Sequence, residues 1–311
     1  MSRLAHALRR VWVVAAAVWT WTQQTASGSR TWRYLASSED GTKLAAAPST
    51  GYIYTSTDSG VTWTAQVGSG NWGRSALVSS SDGLKLAATV YNGYLYTSSD
   101  GGVTWTQQTA AGSRTWRGLA SSADGTKLAA AHAIGDLYTS QDGGVTWTKQ
   151  TGAGTRNWYF IASSSDGLKL AAVVSSGYIY TSTDGGVTWN ERVASGSRTW
   201  RYVTISDDGL NLAAAVSSGY IYTSTDGGVT WTQQTAPGSR AWTGLVASTN
   251  GTNLAAASST NYLVTSIDGG VTWISQTAAG SRNWYGIASS FDGAKLAAAV
   301  SGGYIWTGVF A

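Results

Sequence analysis

The chain has 311 residues, 42% hydrophobic and 12% charged, with 39 Gly, 17 Trp and 16 Tyr against two Pro. This is enough apolar material for a large core and too little charge for a disordered chain or a solvated coiled coil. There is no Cys, and His6 and His132 are the only two His, so disulfides, thiol nucleophiles and zinc sites are excluded and no metal or other cofactor is expected.

Residues 1–18 read as a leader. Arg3, Arg9 and Arg10 precede an apolar run, VWVVAAAVW over residues 11–19, in which Ala15 and Ala17 supply an A-x-A pattern. The pattern is that of a secretory signal and implies export to a periplasmic or extracellular space; an uncleaved segment would leave the chain cytoplasmic. The run falls short of the roughly 18–20 apolar residues of a spanning helix, and no other stretch approaches that length, so no transmembrane segment is expected.

From Trp21 onward the text repeats. Trp21, Trp63, Trp105, Trp147, Trp189, Trp231 and Trp273 are spaced 42 residues apart. Each unit runs through WRYLASS, DG, TKLAAA, a variable loop, GYIYTS, TDGGVT and WTQQT, which reads as four short strands separated by turn dipeptides. Seven such units predict an all-β, seven-bladed β-propeller of four-stranded antiparallel blades, a single domain over residues 19–311. The last unit ends at GYIWTGVFA without a fourth strand, while the chain opens with an orphan WTQQT at Trp21. The N-terminal strand is therefore expected to complete blade seven and remove an open sheet edge.

The segments TSTDSGVTW (55–63), TSSDGGVTW (97–105), TSQDGGVTW (139–147) and their three later copies resemble Asp boxes, also called BNR repeats. Such boxes occur in sialidases, sortilin-type receptor ectodomains and photosystem II assembly factors of the YCF48 type, whose spelling is the most similar. The resemblance implies a propeller, and for the last group a protein-binding role. WD40 repeats have a similar length, but their W-D and G-H signatures are missing.

The acidic residues sort into turns. Asp58, Asp100, Asp142, Asp184, Asp226 and Asp268 occupy the boxes, where a carboxylate can accept from backbone N–H groups of its own turn. Asp40, Asp82, Asp124, Asp166, Asp208 and Asp292 precede Gly in hairpin turns, with Asn250 in the sixth copy. Only Asp136, Asp207, Glu39 and Glu191 remain. A glycosidase needs two carboxylates facing each other across the scissile bond, and a sialidase-like site would add an arginine cluster and a tyrosine activated by a glutamate. No matching Glu is evident, so no catalytic residue is assigned and a sialidase-like hydrolase ranks last.

Antiparallel connectivity puts the loop entering the first strand and the loop joining strands two and three at one end of every blade. That end collects Arg30, Arg33, Arg74, Arg114, Arg117, Arg156, Arg192, Arg198, Arg201, Arg240, Arg282 and Lys149, opposed only by Asp136 and Glu191. The other end carries five lysines against fourteen acidic residues. Such separation focuses positive potential on one face. The same face carries Trp32, Trp72, Trp116, Trp158, Trp200, Trp242 and Trp284, with an Arg two residues earlier in six of the seven copies. Trp offers a flat apolar plate and Arg a planar set of donors, a combination suited to sugars and to acidic sugars above all. The alternative is that each Trp packs between blades with its Arg stacked upon it.

These residues lead to a non-catalytic, multivalent propeller that binds glycan, possibly acidic, through near-equivalent sites at Arg30, Trp32, Arg33, Arg114, Trp116, Arg117, Arg156, Trp158, Arg198, Trp200, Arg201, Arg240, Trp242, Arg282 and Trp284. The rival is a protein-interaction scaffold of the assembly-factor type, with an acidic partner surface covering the basic face. Nucleic acid is not expected as a partner, because no reading module is present. A monomer is expected.

Overall fold

The computed structural model describes residues 18–311; the leader expected at the N-terminus lies outside the described residues apart from Val18. The described strands fall into seven four-stranded antiparallel units. In blade one they are Arg30–Ser37, Leu44–Pro48, Ile53–Ser56 and Thr64–Gln66, each paired to the next. The order repeats through the chain as far as Trp284–Ser289, Lys295–Gly303 and Ile305–Phe310 of blade seven. That blade takes its fourth strand from Trp19–Gln24, which pairs along its whole length with Ile305–Phe310. Val18 N–H donates to the Ala311 carbonyl at 3.0 Å, so the described chain begins and ends side by side.

The second strand of each blade is packed on both faces, and its sequence shows why. Leu44, Ala45, Ala46 and Ala47 are all buried; the small alanines let neighbouring sheets approach, and the leucine joins the apolar cluster against the adjoining blade. Seven apolar clusters result, one between every pair of neighbouring blades. The cluster of Trp32, Leu35, Leu44 and Ala46 with Ala288, Ala297, Ala299 and Ile305 joins blade one to blade seven, so the ring of blades is closed.

The first strands line a central channel and crowd together there. A Cβ on Gly286 would sit 2.5 Å from the Arg33 carbonyl oxygen, so only glycine lets the inner strand of blade seven pass that of blade one. At the Asp-Gly end, the residue before each Asp links one blade to the next. Glu39 N–H donates to the Ser81 carbonyl, Ser81 to Ala123, Ala123 to Ser165, Asp207 to Thr249, Thr249 to Phe291, and Phe291 back to Glu39, at 2.7–2.9 Å. The seventh link, from Ser165 N–H, ends on the Asp207 carboxylate at 2.9 Å instead of a carbonyl. Outside this ring a second set of braces runs the same way. Lys43, Lys85, Lys127 and Lys295 each donate to the carbonyl of the next blade's turn Asp at 2.6–2.8 Å. In blades five and six Asn211 and Asn253 do the same through their side-chain amides, which explains how asparagine can stand where most copies carry lysine.

Candidate functional site

The box aspartates are structural. In the box of Asp142, Thr146 donates through its backbone N–H at 2.9 Å and its hydroxyl at 2.6 Å, Ser140 donates at 2.8 Å, and the Trp147 indole closes the turn onto the Gly144 carbonyl at 2.8 Å. The pattern recurs in all six boxes. The threonine hydroxyl, followed by the threonine N–H, holds the Asp100 and Asp142 carboxyls down at about 2.

The tryptophan plates expected on the basic face are not available. Trp32, Trp116, Trp158, Trp200, Trp242 and Trp284 are 0–1% exposed and form the blade interfaces. Strand alternation turns them inward, and five of the six indoles donate to a nearby glycine carbonyl. Trp72 of blade two, shifted in sequence, lies outside this set, 40% exposed and 4.6 Å from the Tyr96 ring.

The arginines two residues before these tryptophans are largely occupied by their own blades. Arg30, Arg114, Arg156 and Arg198 lie over Tyr54, Tyr138, Tyr180 and Tyr222 at 4.4–4.8 Å, and Arg282 over Trp306 at 4.3 Å. Each also donates to the carbonyl three residues earlier, for example Arg114 Nε to Ala111 at 2.7 Å. Arg240 lies 5.6 Å from the Trp242 ring and donates to the Tyr262 carbonyl at 3.2 Å. The repeated pocket thus holds a guanidinium between a ring face and a carbonyl.

The arginines immediately after the tryptophans form a different arrangement. Arg33, Arg117 and Arg201 lie in the inner strands of blades one, three and five, and the closed ring turns them toward one channel end. Arg33 lies 4.1 Å from the Tyr285 ring centroid, and Arg117 and Arg201 each lie 5.0 Å from that of Tyr159. Beneath them Tyr34 and Tyr202 complete the mouth; burial, with Tyr285 beside it, pushes the Tyr34 phenol up to about 12, and burial also raises Tyr202. Both phenols are therefore neutral donors at physiological pH. Among the described residues the ion pairs are Lys149 with Asp136 and Lys169 with Asp166, so no carboxylate is paired with these three guanidiniums. Arg201 Nε is buried without a hydrogen-bond partner. Three half-buried cations beside phenol rings, with no carboxylate paired to them, make a site for an anion.

Comparison with known proteins follows this geometry. The model of the BNR/Asp-box repeat matches residues 138–149 and 180–191, two of the boxes described above. The chain is a BNR-type β-propeller. No curated protein sequence matches it significantly. Among solved structures, YCF48 from Cyanidioschyzon merolae is similar over 92% of this chain and 98% of its own, with 16% identity and a TM-score of 0.72. YCF48 bound to D1 peptide is similar over 94% and 96%, with 18% identity and a TM-score of 0.70. The GH74 enzyme of Niastella koreensis is similar over 92% of this chain but only 53% of its own, with 18% identity and a TM-score of 0.75.

The acids left over from the turns are also engaged in the BNR-type propeller. Asp207 belongs to the ring at the far channel end through its carboxylate, and Glu39 through its backbone alone. Asp136 is buried beside Lys149 at 2.8 Å. Glu191 does accept from a tyrosine, Tyr180, a pairing the linear sequence did not disclose. Tyr180 is 3% exposed, however, and its burial followed by the glutamate bond raises its phenol. In blades two and five the equivalent tyrosines, Tyr96 and Tyr222, meet Gln107 and Gln233 in the same way. Glu191 thus stands at a structural position. His132 ends the strand Leu128–His132 and is half-buried near Trp116. Among the described residues no cluster of His, Asp or Glu could hold a metal, and no helix is long and apolar enough to cross a membrane.

Proposed function

We propose that this propeller is a non-catalytic protein-interaction module whose arginine-lined channel mouth receives an acidic segment of a partner protein. The observation that carries the reading is the convergence of Arg33, Arg117 and Arg201 around Tyr159 and Tyr285 with no carboxylate paired to them. An anionic segment would relieve the repulsion among the guanidiniums and accept from the arginine and phenol donors. The likeness in fold to YCF48 bound to D1 peptide agrees with a polypeptide ligand. A repeated glycan site draws less support, because its stacking surfaces lie inside the blade interfaces. The engagement of the acidic side chains of the blades other than Glu39 in turns or pairs supports the non-catalytic part of the reading.

Acidic peptides from a synthetic library, measured by fluorescence anisotropy, test this. Binding should weaken with salt and fall at least about ten-fold when Arg33, Arg117 and Arg201 are changed to Gln, since each lost charge-assisted bond is worth about 1.5–3 kcal/mol. Changing Arg114, Arg156 and Arg240 to Gln should leave it within about three-fold. Equal losses in the two triple variants would move the site to the outer arginines. Glycan binding that survives the inner triple variant would restore the lectin reading.

A further inference from the structure

The outer edges of the blades are not alike. In blades one to six the fourth strand follows an Asp box and is only two or three residues long. Blade seven has no box, because its last two strands come from opposite ends of the chain, and they pair for six residues. Val18 and Ala311 exchange both backbone bonds, at 3.0 and 3.4 Å, which fixes the alternation along this pair. Thr20, Thr22 and Gln24 therefore bond inward, while Trp19, Trp21 and Gln23 turn their N–H and C=O groups outward. By the same alternation the short strand of blade one turns only Ala65 outward.

Exposed edges are normally kept short or guarded by charge or proline. The single outward residue is charged in blades three and four, Lys149 and Glu191, whereas residues 18–24, VWTWTQQ, hold neither a charge nor a proline. Among the described residues no other strand pairs with this edge. Beside it lies blade six, to which the Trp21 indole donates through Gln276 at 3.3 Å. There Ile267 and Ile274 are 55% and 63% exposed, at positions where blades one to five carry Thr, Ser, Asn or Gln.

We propose that this edge is a self-association surface, at which two copies of the chain pair their Trp19–Gln24 strands antiparallel about a two-fold axis at Trp21. The three outward residues are symmetric about Trp21. This register therefore makes hydrogen-bonded pairs of Trp19 with Gln23 of the second copy, of Trp21 with its counterpart, and of Gln23 with Trp19 of the second copy. In the two intervening pairs the exposed Thr20 faces Thr22 of the second copy. The axis stands perpendicular to the sheet, so both sixth blades lie on one side of it and their isoleucines flank the junction. Reversing the strand also reverses the channel, and the two arginine mouths open on opposite faces of the pair. The proposal is independent of what those mouths bind.

Sedimentation velocity of the full chain across the micromolar range tests it. A monomer–dimer equilibrium should appear without larger species, since a two-fold contact closes on itself. Thr20→Lys with Thr22→Lys sets like charges against each other in both threonine pairs and should weaken dimerisation at least about ten-fold. Thr20→Glu with Thr22→Lys sets opposite charges in the same pairs and should leave it within about three-fold or tighten it. In Thr20→Cys with Thr22→Cys, oxidised glutathione should link two chains, because these pairs bring Cα atoms to about 4.5 Å and the chain has no other cysteine. Thr20→Cys alone should not link. A chain that stays monomeric throughout would overturn the proposal, as would open-ended assembly or a dimer indifferent to the double lysine change. A monomer with slow hydrogen exchange at Trp19, Trp21 and Gln23 would overturn it too and assign the edge to another segment of the same chain. Should the lysine variant fail to fold, the cysteine pair decides.

Discussion

The box aspartate shows how one side chain sets both a turn and a pH dependence. Its carboxylate gathers three donors within its own loop, and the same geometry depresses its acidity. A carboxyl near 2 when folded and near 3.9 when unfolded adds stability that is fully present above about pH 4 and is lost as pH falls toward 2. Asp40, Asp100, Asp124, Asp142 and Asp226 share that depressed value, so the chain should lose thermal stability cumulatively over this window. Asp142→Ala should cost about 1 kcal/mol at neutral pH in urea denaturation, a modest figure because the site is exposed, and the difference from the unaltered protein should shrink by more than half by pH 2. A gap undiminished at pH 2 would show that the side chain acts through something other than its charge.

At the scale of strands and turns, repetition made some features legible and hid others. The period and the turn dipeptides disclosed the blades, because four-strand units with Asp-Gly punctuation leave few alternatives. The same regularity misled about the tryptophans: spacing identifies a repeated position, but not whether strand alternation turns it to a neighbouring blade or to solvent. What marked the channel mouth was irregularity. Arg33, Arg117 and Arg201 alternate with Ser75, Tyr159, Thr243 and Tyr285 at one repeat position, and the partners Tyr34 and Tyr202 stand where blades three, six and seven have glycine. Only the closed ring shows that these meet. The braces at the opposite end are tolerant by contrast, since lysine and asparagine reach the same carbonyl. Asn253→Lys should therefore change stability by no more than about 0.5 kcal/mol in chemical denaturation, whereas Asn253→Val, which removes the donor, should cost about 1 kcal/mol. Equal effects of the two changes would show that the brace carries no stability.

For the molecule as a whole, the decisive element is the strand borrowed from the N-terminus. Trp19–Gln24 covers the edge of Ile305–Phe310, its Trp21 ring lies so close to Gly308 that a Cβ there would come within 2.9 Å, and Gln24 donates to Thr307 at 2.6 Å. A chain beginning at Thr25 should melt roughly 5–10 °C lower, from a loss of about 3–4 kcal/mol in buried tryptophan surface and ladder bonds. Its bare edge should also drive self-association visible by light scattering. An unchanged melting temperature in a monodisperse sample would mean that blade seven stands on three strands. The hydrogen-bonded circle at the far channel end carries a different implication, for inheritance. Tandem units so alike invite unequal recombination, which adds or drops 42 residues without breaking any blade. The circle from Glu39 round to Phe291 and back has seven members, and an array of six or eight must meet at another angle at every junction before it can close. Selection can thus act on the number of copies through geometry alone, even where the individual copies are interchangeable.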